Sequence, residues 1–174
     1  MSIDGCIAGP NGEMDWMVGL QDDKIMKYEY ELMESIDTIL LGRKMADVFI
    51  SYWSDVIKKP DDPWYAFGKK MIEIPKVVFT KTLNKSKWIN TEIATGDLTD
   101  EIIKLKSRDG KDMIVYGGAS FDSSLIKLGL IDEIGMLLSI SRMCLVRAVI
   151  PTEIAPVSNP LRIMRNFFIG IIYG

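Results

Sequence analysis

The sequence predicts an α/β protein whose sheet has parallel neighbours, and three observations carry that expectation. Short apolar runs alternate with amphipathic stretches from residue 38 to residue 138, the pattern of strands crossing over through helices. Two of those runs end in glycine directly before a helix start. The chain has 174 residues, 48% apolar and 26% charged, enough to bury one core and close to the globular average.

The elements follow in order. Residues 5–16 hold three glycines and Pro10, and Pro10-Asn11-Gly12 reads as a turn, so this stretch is a loop. Residues 22–36 read as a helix, with Ile25, Tyr28, Leu32 and Ile36 on one face and Asp22-Asp23 at the positive end of its dipole. Thr38 to Leu41 is a buried strand ending at Gly42, and Arg43 to Phe49 is helical again. Residues 51–75, with Pro60, Pro63 and Pro75, read as irregular. Lys76 to Thr80 is a strand, and Trp88-Ile89 suggests another, short one. Asp97 to Ser107 is a helix capped by Asp97, with Leu98, Ile102 and Leu105 on one face. Asp112 to Tyr116 is a strand stopped by Gly117-Gly118, Ser120 to Leu128 a helix closed by Gly129, and Ile131 to Leu138 a strand.

Composition removes several kinds of chemistry. With no histidine, Ser-His-Asp and Cys-His pairs, histidine-ligated zinc and histidine bases are excluded. Proton transfer falls to carboxylates, lysines, tyrosines or water. A net charge of −3 argues against a general nucleic-acid binder. The runs near 143–150 and 167–173 are too short to cross a bilayer, so no membrane partner is expected. Met1 to Gly5 has neither a basic n-region nor an apolar h-region, which points to a cytoplasmic protein. Cys6 and Cys144, far apart and without CxxC spacing, read as two reduced thiols, with a disulfide as the alternative.

The two glycine-ended segments are Ile39-Leu40-Leu41-Gly42-Arg43-Lys44 and Ile114-Val115-Tyr116-Gly117-Gly118-Ala119-Ser120. A strand that ends in glycine lets a ligand come close to the backbone. The helix that follows offers free N–H groups and the positive end of its dipole, which suits phosphate. Arg43 and Lys44 add charge at one of these ends. Neither GxGxxG nor GxxxxGK[ST] occurs, so neither a Rossmann fingerprint nor a P-loop supplies the site.

An ordered set of motifs runs from residue 2 to about residue 145: Ser2-Ile3-Asp4-Gly5 with Ile7-Ala8-Gly9, Asp15-Trp16, Leu41-Gly42-Arg43-Lys44-Met45, Val78-Phe79-Thr80-Lys81-Thr82-Leu83, Val115-Tyr116-Gly117-Gly118 and Gly129-Leu130-Ile131-Asp132-Glu133. It resembles the dihydrofolate reductase-like proteins that share a fold with the reductase domain of riboflavin biosynthesis. The resemblance implies a central mixed sheet flanked by helices, NADPH as hydride donor and a small-molecule substrate. It places Gly42, Arg43 and Lys44 at the cofactor phosphates and Gly117, Gly118 and Ala119 around the pyrophosphate. Thr80 and Lys81 would lie near the adenosine 2′-phosphate, and the loop 5–16 over the nicotinamide. Asp4 is the acidic candidate for catalysis, with an Asx-turn as its plain structural role. Two departures stand out. Tyr116 occupies the place where riboflavin-pathway reductases carry an acid, and Asp22 and Asp23 fall near, but do not align with, the pterin-binding carboxylate of dihydrofolate reductases. Trp16, Trp53, Trp64 and Tyr65 are candidates for a substrate pocket or for core packing.

Both ends depart from the family. Only Met1-Ser2-Ile3 precede Asp4, about six residues short of a full first strand. Residues 1–145 are expected to form the reductase domain and residues 146–174 an atypical tail. One coding of residues 146–152, given one extra base in front, reads Gly-Glu-Gly-Gly-Asp-Thr-Tyr, the glycine-rich turn that the family carries there. A frame shift near residue 146 is therefore expected, with genuine divergence as its alternative. The resemblance also implies a homodimer. The leading function is NADPH-dependent reduction of a pterin- or pyrimidine-like heterocycle. The alternatives are a nucleotide-binding or interaction module without catalysis, and a structural protein without a ligand.

Overall fold

A computed structural model describes residues 23–138, 144–149 and 164–168. Its elements are α1 (Asp23–Ser35), β1 (Ile36–Gly42), α2 (Arg43–Val56), α3 (Tyr65–Glu73), β2 (Lys76–Phe79), β3 (Thr91–Ala94), α4 (Leu98–Lys106), β4 (Asp112–Val115), α5 (Ala119–Lys127), β5 (Glu133–Leu138), β6 (Cys144–Val149) and β7 (Met164–Phe168). One seven-stranded sheet runs in the order β3-β2-β1-β4-β7-β5-β6. All neighbours are parallel except β5 and β6, so the sheet is mixed, as expected.

Strict alternation in the central strands builds a core on each face. On one side Ile39, Leu41, Val78, Ile114 and Tyr116 pack under α1, α2 and α3, against Leu32, Phe49, Trp53 and Phe67. On the other, Leu40, Val77, Met113 and Val115 pack under α4 and α5, against Ile102, Leu105 and Leu125. Asp97 caps α4 through bonds from the Thr99 and Asp100 amides, at 2.8 and 3.3 Å. Gly129 follows the end of α5 at φ +64°.

Three elements differ from the sequence reading. Helix α2 continues to Val56 because Phe49, Trp53 and Val56 extend its buried stripe past residue 49. The stretch read as irregular contains α3, which Phe67 and Met71 hold against the core. Its flanking prolines bound the helix rather than exclude it, and Gly68 lets α3 approach α2: a Cβ there would stand 3.1 Å from Val56 and 3.2 Å from Trp53. The short strand lies at Thr91–Ala94 rather than at Trp88-Ile89. Ser86 Oγ accepts from the Trp88 amide at 3.1 Å and Asn90 takes φ +49°, so the chain turns through 86–90. Trp88 packs inward while Ile89 is 77% exposed.

Candidate functional site

The sheet changes direction between β1 and β4. From β1 the chain passes through α2 and α3 to β2, on one side of β1; β4 then pairs with its other side. Helix α2, leaving β1, lies on one face, and α5, leaving β4, on the opposite face. Two adjacent parallel strands whose following helices part in this way form a topological switch point, and open α/β sheets bind ligands in the crevice at the carboxyl ends of such strands.

The two glycine segments meet at that crevice. Leu40 pairs with Val115, and the Tyr116 amide donates to the Leu40 carbonyl at 3.0 Å. A Cβ on Gly42 would stand 3.1 Å from Phe121 Cβ and 3.8 Å from the Gly117 carbonyl oxygen. At Gly117 a Cβ would run into the Asp122 carboxylate and stand 2.7 Å from Phe121 Cδ1. Gly118 has φ +114°, a conformation side chains rarely adopt, and a Cβ there would meet nothing within 4 Å. Its backbone therefore faces open space at the start of α5. Gly42 and Gly118, at the N-cap positions of α2 and α5, have no side chain to cap these helices, and a helix start of this kind suits an anion.

The remaining predicted residues sort by element. Arg43 and Lys44 form the first turn of α2, Lys44 exposed and Arg43 paired with Asp47. Thr80 is buried just after β2; its amide bonds the Ala94 carbonyl at 3.0 Å and its hydroxyl lies 3.2 Å from that of Thr82. Lys81 turns its ammonium to the Thr95 and Gly96 carbonyls, at 2.8 and 2.6 Å. Gly42, Arg43, Gly117, Gly118 and Ala119 thus share the rim of the crevice, with Thr80 one strand away. Trp53 is buried in the core, Trp64 packs on Phe67, and the Tyr65 ring lies under Lys69. Asp4, Cys6, Trp16, Asp22 and the loop 5–16 lie outside the described residues, as does most of the tail.

Sequence reasoning missed Glu29. It sits on α1, 5% exposed, and burial raises its carboxyl from 4.5 to about 7, so it titrates near neutrality. Beyond β4, Tyr116 is buried, and among the described residues its hydroxyl has no hydrogen-bond partner. Burial, and secondarily the Glu29 charge, push that phenol well above its usual range. The signal was available: Glu29 falls four residues after Ile25 and three before Leu32, an acid on the apolar stripe of the helix.

The profile of the RibD C-terminal domain matches residues 1–139. The chain belongs to the RibD C-terminal domain family. Members are reductase-type domains associated with riboflavin biosynthesis and typically bind NADPH. The chain is 38% identical over 140 residues to YyaP of Bacillus subtilis (strain 168), an uncharacterized protein, covering 76% of this chain and 67% of that one. It is similar in fold to a crystal structure from Shewanella sp. PV-4 that is named for riboflavin biosynthesis. The TM-score is 0.53 and the identity 23%, over 79% of this chain and 72% of the other. Among the described residues no helix is long and apolar enough to cross a membrane.

Proposed function

We propose that the protein is an NADPH-dependent reductase of a small pterin- or pyrimidine-like heterocycle. The observation that carries this reading is the meeting of the β1 and β4 carboxyl ends, where an open backbone at Gly118 stands near Gly42 and Arg43 at the start of α2. Gly42, Arg43 and Lys44 would hold the cofactor phosphates; Gly117, Gly118 and Ala119 would receive the pyrophosphate, and Thr80 and Lys81 would border the adenosine end. When bound, NADPH supplies a hydride from nicotinamide C4 to a C=N or C=O bond.

Glu29 then serves as the group that titrates near neutral pH. As a neutral acid it donates a hydrogen bond to a ring nitrogen or carbonyl, and it delivers the proton that balances the hydride. Tyr116, just past the end of β4, adds a buried hydroxyl that has no hydrogen-bond partner among the described residues. Asp4, at the entrance of the loop 5–16, is the other carboxylate proposed for this work.

Calorimetric titration with NADPH, followed by NADPH oxidation across pterins, pyrimidines and small carbonyls, tests the reading. Saturable binding with turnover on a heterocycle is the expected result. Binding without turnover on any of them would favour a nucleotide-binding module, and no binding would remove the cofactor site.

A further inference from the structure

Around Trp88, two cations share one carboxylate. Arg43 pairs with Asp47 Oδ2 one helical turn on, and Lys87 Nζ lies 2.7 Å from Asp47 Oδ1, so each oxygen serves a different cation. Both cations also approach the Trp88 ring, the Arg43 guanidinium carbon 5.5 Å and the Lys87 nitrogen 5.1 Å from its centroid. Hydrogen bonds from Lys87 and then Arg43 hold the Asp47 carboxyl below the usual carboxylate range. The Arg43 and Lys87 side chains are 32% and 58% exposed, so a ligand can reach both. Arg43 follows Gly42 at the crevice, while Lys81 is already turned to two backbone carbonyls.

We propose that Asp47 is a resident counter-anion, which a nucleotide phosphomonoester displaces from the Arg43–Lys87 pair. The inference rests on the NADPH reading above and names the group that sets phosphate affinity. A phosphomonoester carries between one and two negative charges near neutrality and offers three acceptor oxygens; a carboxylate offers one charge and two. It can therefore engage both cations more strongly than Asp47 does. An anion already in place must be displaced first, which lowers the apparent affinity. NADH lacks the phosphomonoester and has nothing to exchange for Asp47.

The test compares wild type, Asp47→Asn and Lys87→Gln in NADPH and NADH titrations at low salt, read by binding and by Trp88 fluorescence. Asp47→Asn removes the competitor while keeping the shape. It should tighten NADPH roughly threefold to tenfold, a modest charge effect at a half-exposed site, and leave NADH nearly unchanged. Lys87→Gln should weaken NADPH alone by a similar factor. NADPH should change Trp88 emission in wild type, and Trp88→Phe should remove that signal. If wild type binds NADPH but Asp47→Asn binds it equally well or more weakly, Asp47 is a structural tie and the inference falls, with the cofactor reading intact. If neither protein binds NADPH, the cofactor reading fails and this inference with it.

Discussion

The Tyr116 phenol, buried where β4 ends, stands in the field of the Glu29 carboxyl that α1 carries into the same core. Both groups are desolvated, and each is easier to keep neutral than charged.

Glu29 makes stability depend on pH with a defined sign. Its carboxyl rises from 4.5 to about 7 on folding. Below pH 4.5 both states are protonated and burial carries no ionisation penalty. Between 4.5 and 7 the unfolded chain loses the proton and the folded protein keeps it, so stability falls as pH rises. The shift corresponds to about 3 kcal/mol above pH 7. Glu29→Gln should remove this slope, so the variant should gain on wild type between pH 5 and pH 8 in urea unfolding. Parallel curves for the two proteins would mean that Glu29 does not titrate from a buried position. If Glu29 also supplies the reaction proton, turnover should fall above about pH 7 in wild type.

Adjacent glycines should respond differently to a side chain. Gly117→Ala forces a methyl against Asp122 and Phe121 and should destabilise by roughly 1–3 kcal/mol through overpacking. Gly118→Ala meets no atom, yet its φ of +114° strains any side chain, by roughly 1–3 kcal/mol. Gly118→Val adds bulk on the open side, where a pyrophosphate would lie. A folded Gly118→Val protein should lose NADPH affinity by at least about tenfold. Thermal melts give the first two effects and calorimetry the third; unaltered NADPH affinity in Gly118→Val would remove the cradle assignment.

Much of this arrangement was legible in the sequence, for reasons that can be traced to residues. The runs 38–41, 76–80 and 112–116 read as strands because central parallel strands are apolar on both faces, and Asp97 announced α4 because a cap residue favours a helix start. The convergence of Gly42 with Gly117 was implied by two similar segments, but only strand order makes them neighbours. Helix α3 was hidden by its prolines, and Trp88 by a turn that depends on Ser86 and Asn90. Lys87 escaped notice because its partner Asp47 lies 40 residues away, on another element. Nothing local in residues 164–168 indicated a place in mid-sheet.

That place makes β7 sensitive to a substitution that removes a backbone donor. Met164–Phe168 pairs in parallel with β4 on one side and β5 on the other, and among the described residues it is the strand that joins β3-β2-β1-β4 to the β5–β6 hairpin. Asn166 stands opposite both Val115 and Ile134. Proline there removes a backbone donor from a strand with a neighbour on each side, a position prolines avoid. A lost ladder bond and a buried carbonyl without its donor should together reduce stability by about 3 kcal/mol. Asn166→Ala, which keeps the backbone donor, should lose much less. Urea unfolding of both variants separates a backbone effect from a side-chain effect. If Asn166→Pro unfolds at the wild-type midpoint, residues 164–168 do not join the two parts of the sheet in solution. The expectation that the tail is out-of-frame peptide would then be consistent with a segment that contributes nothing to the fold.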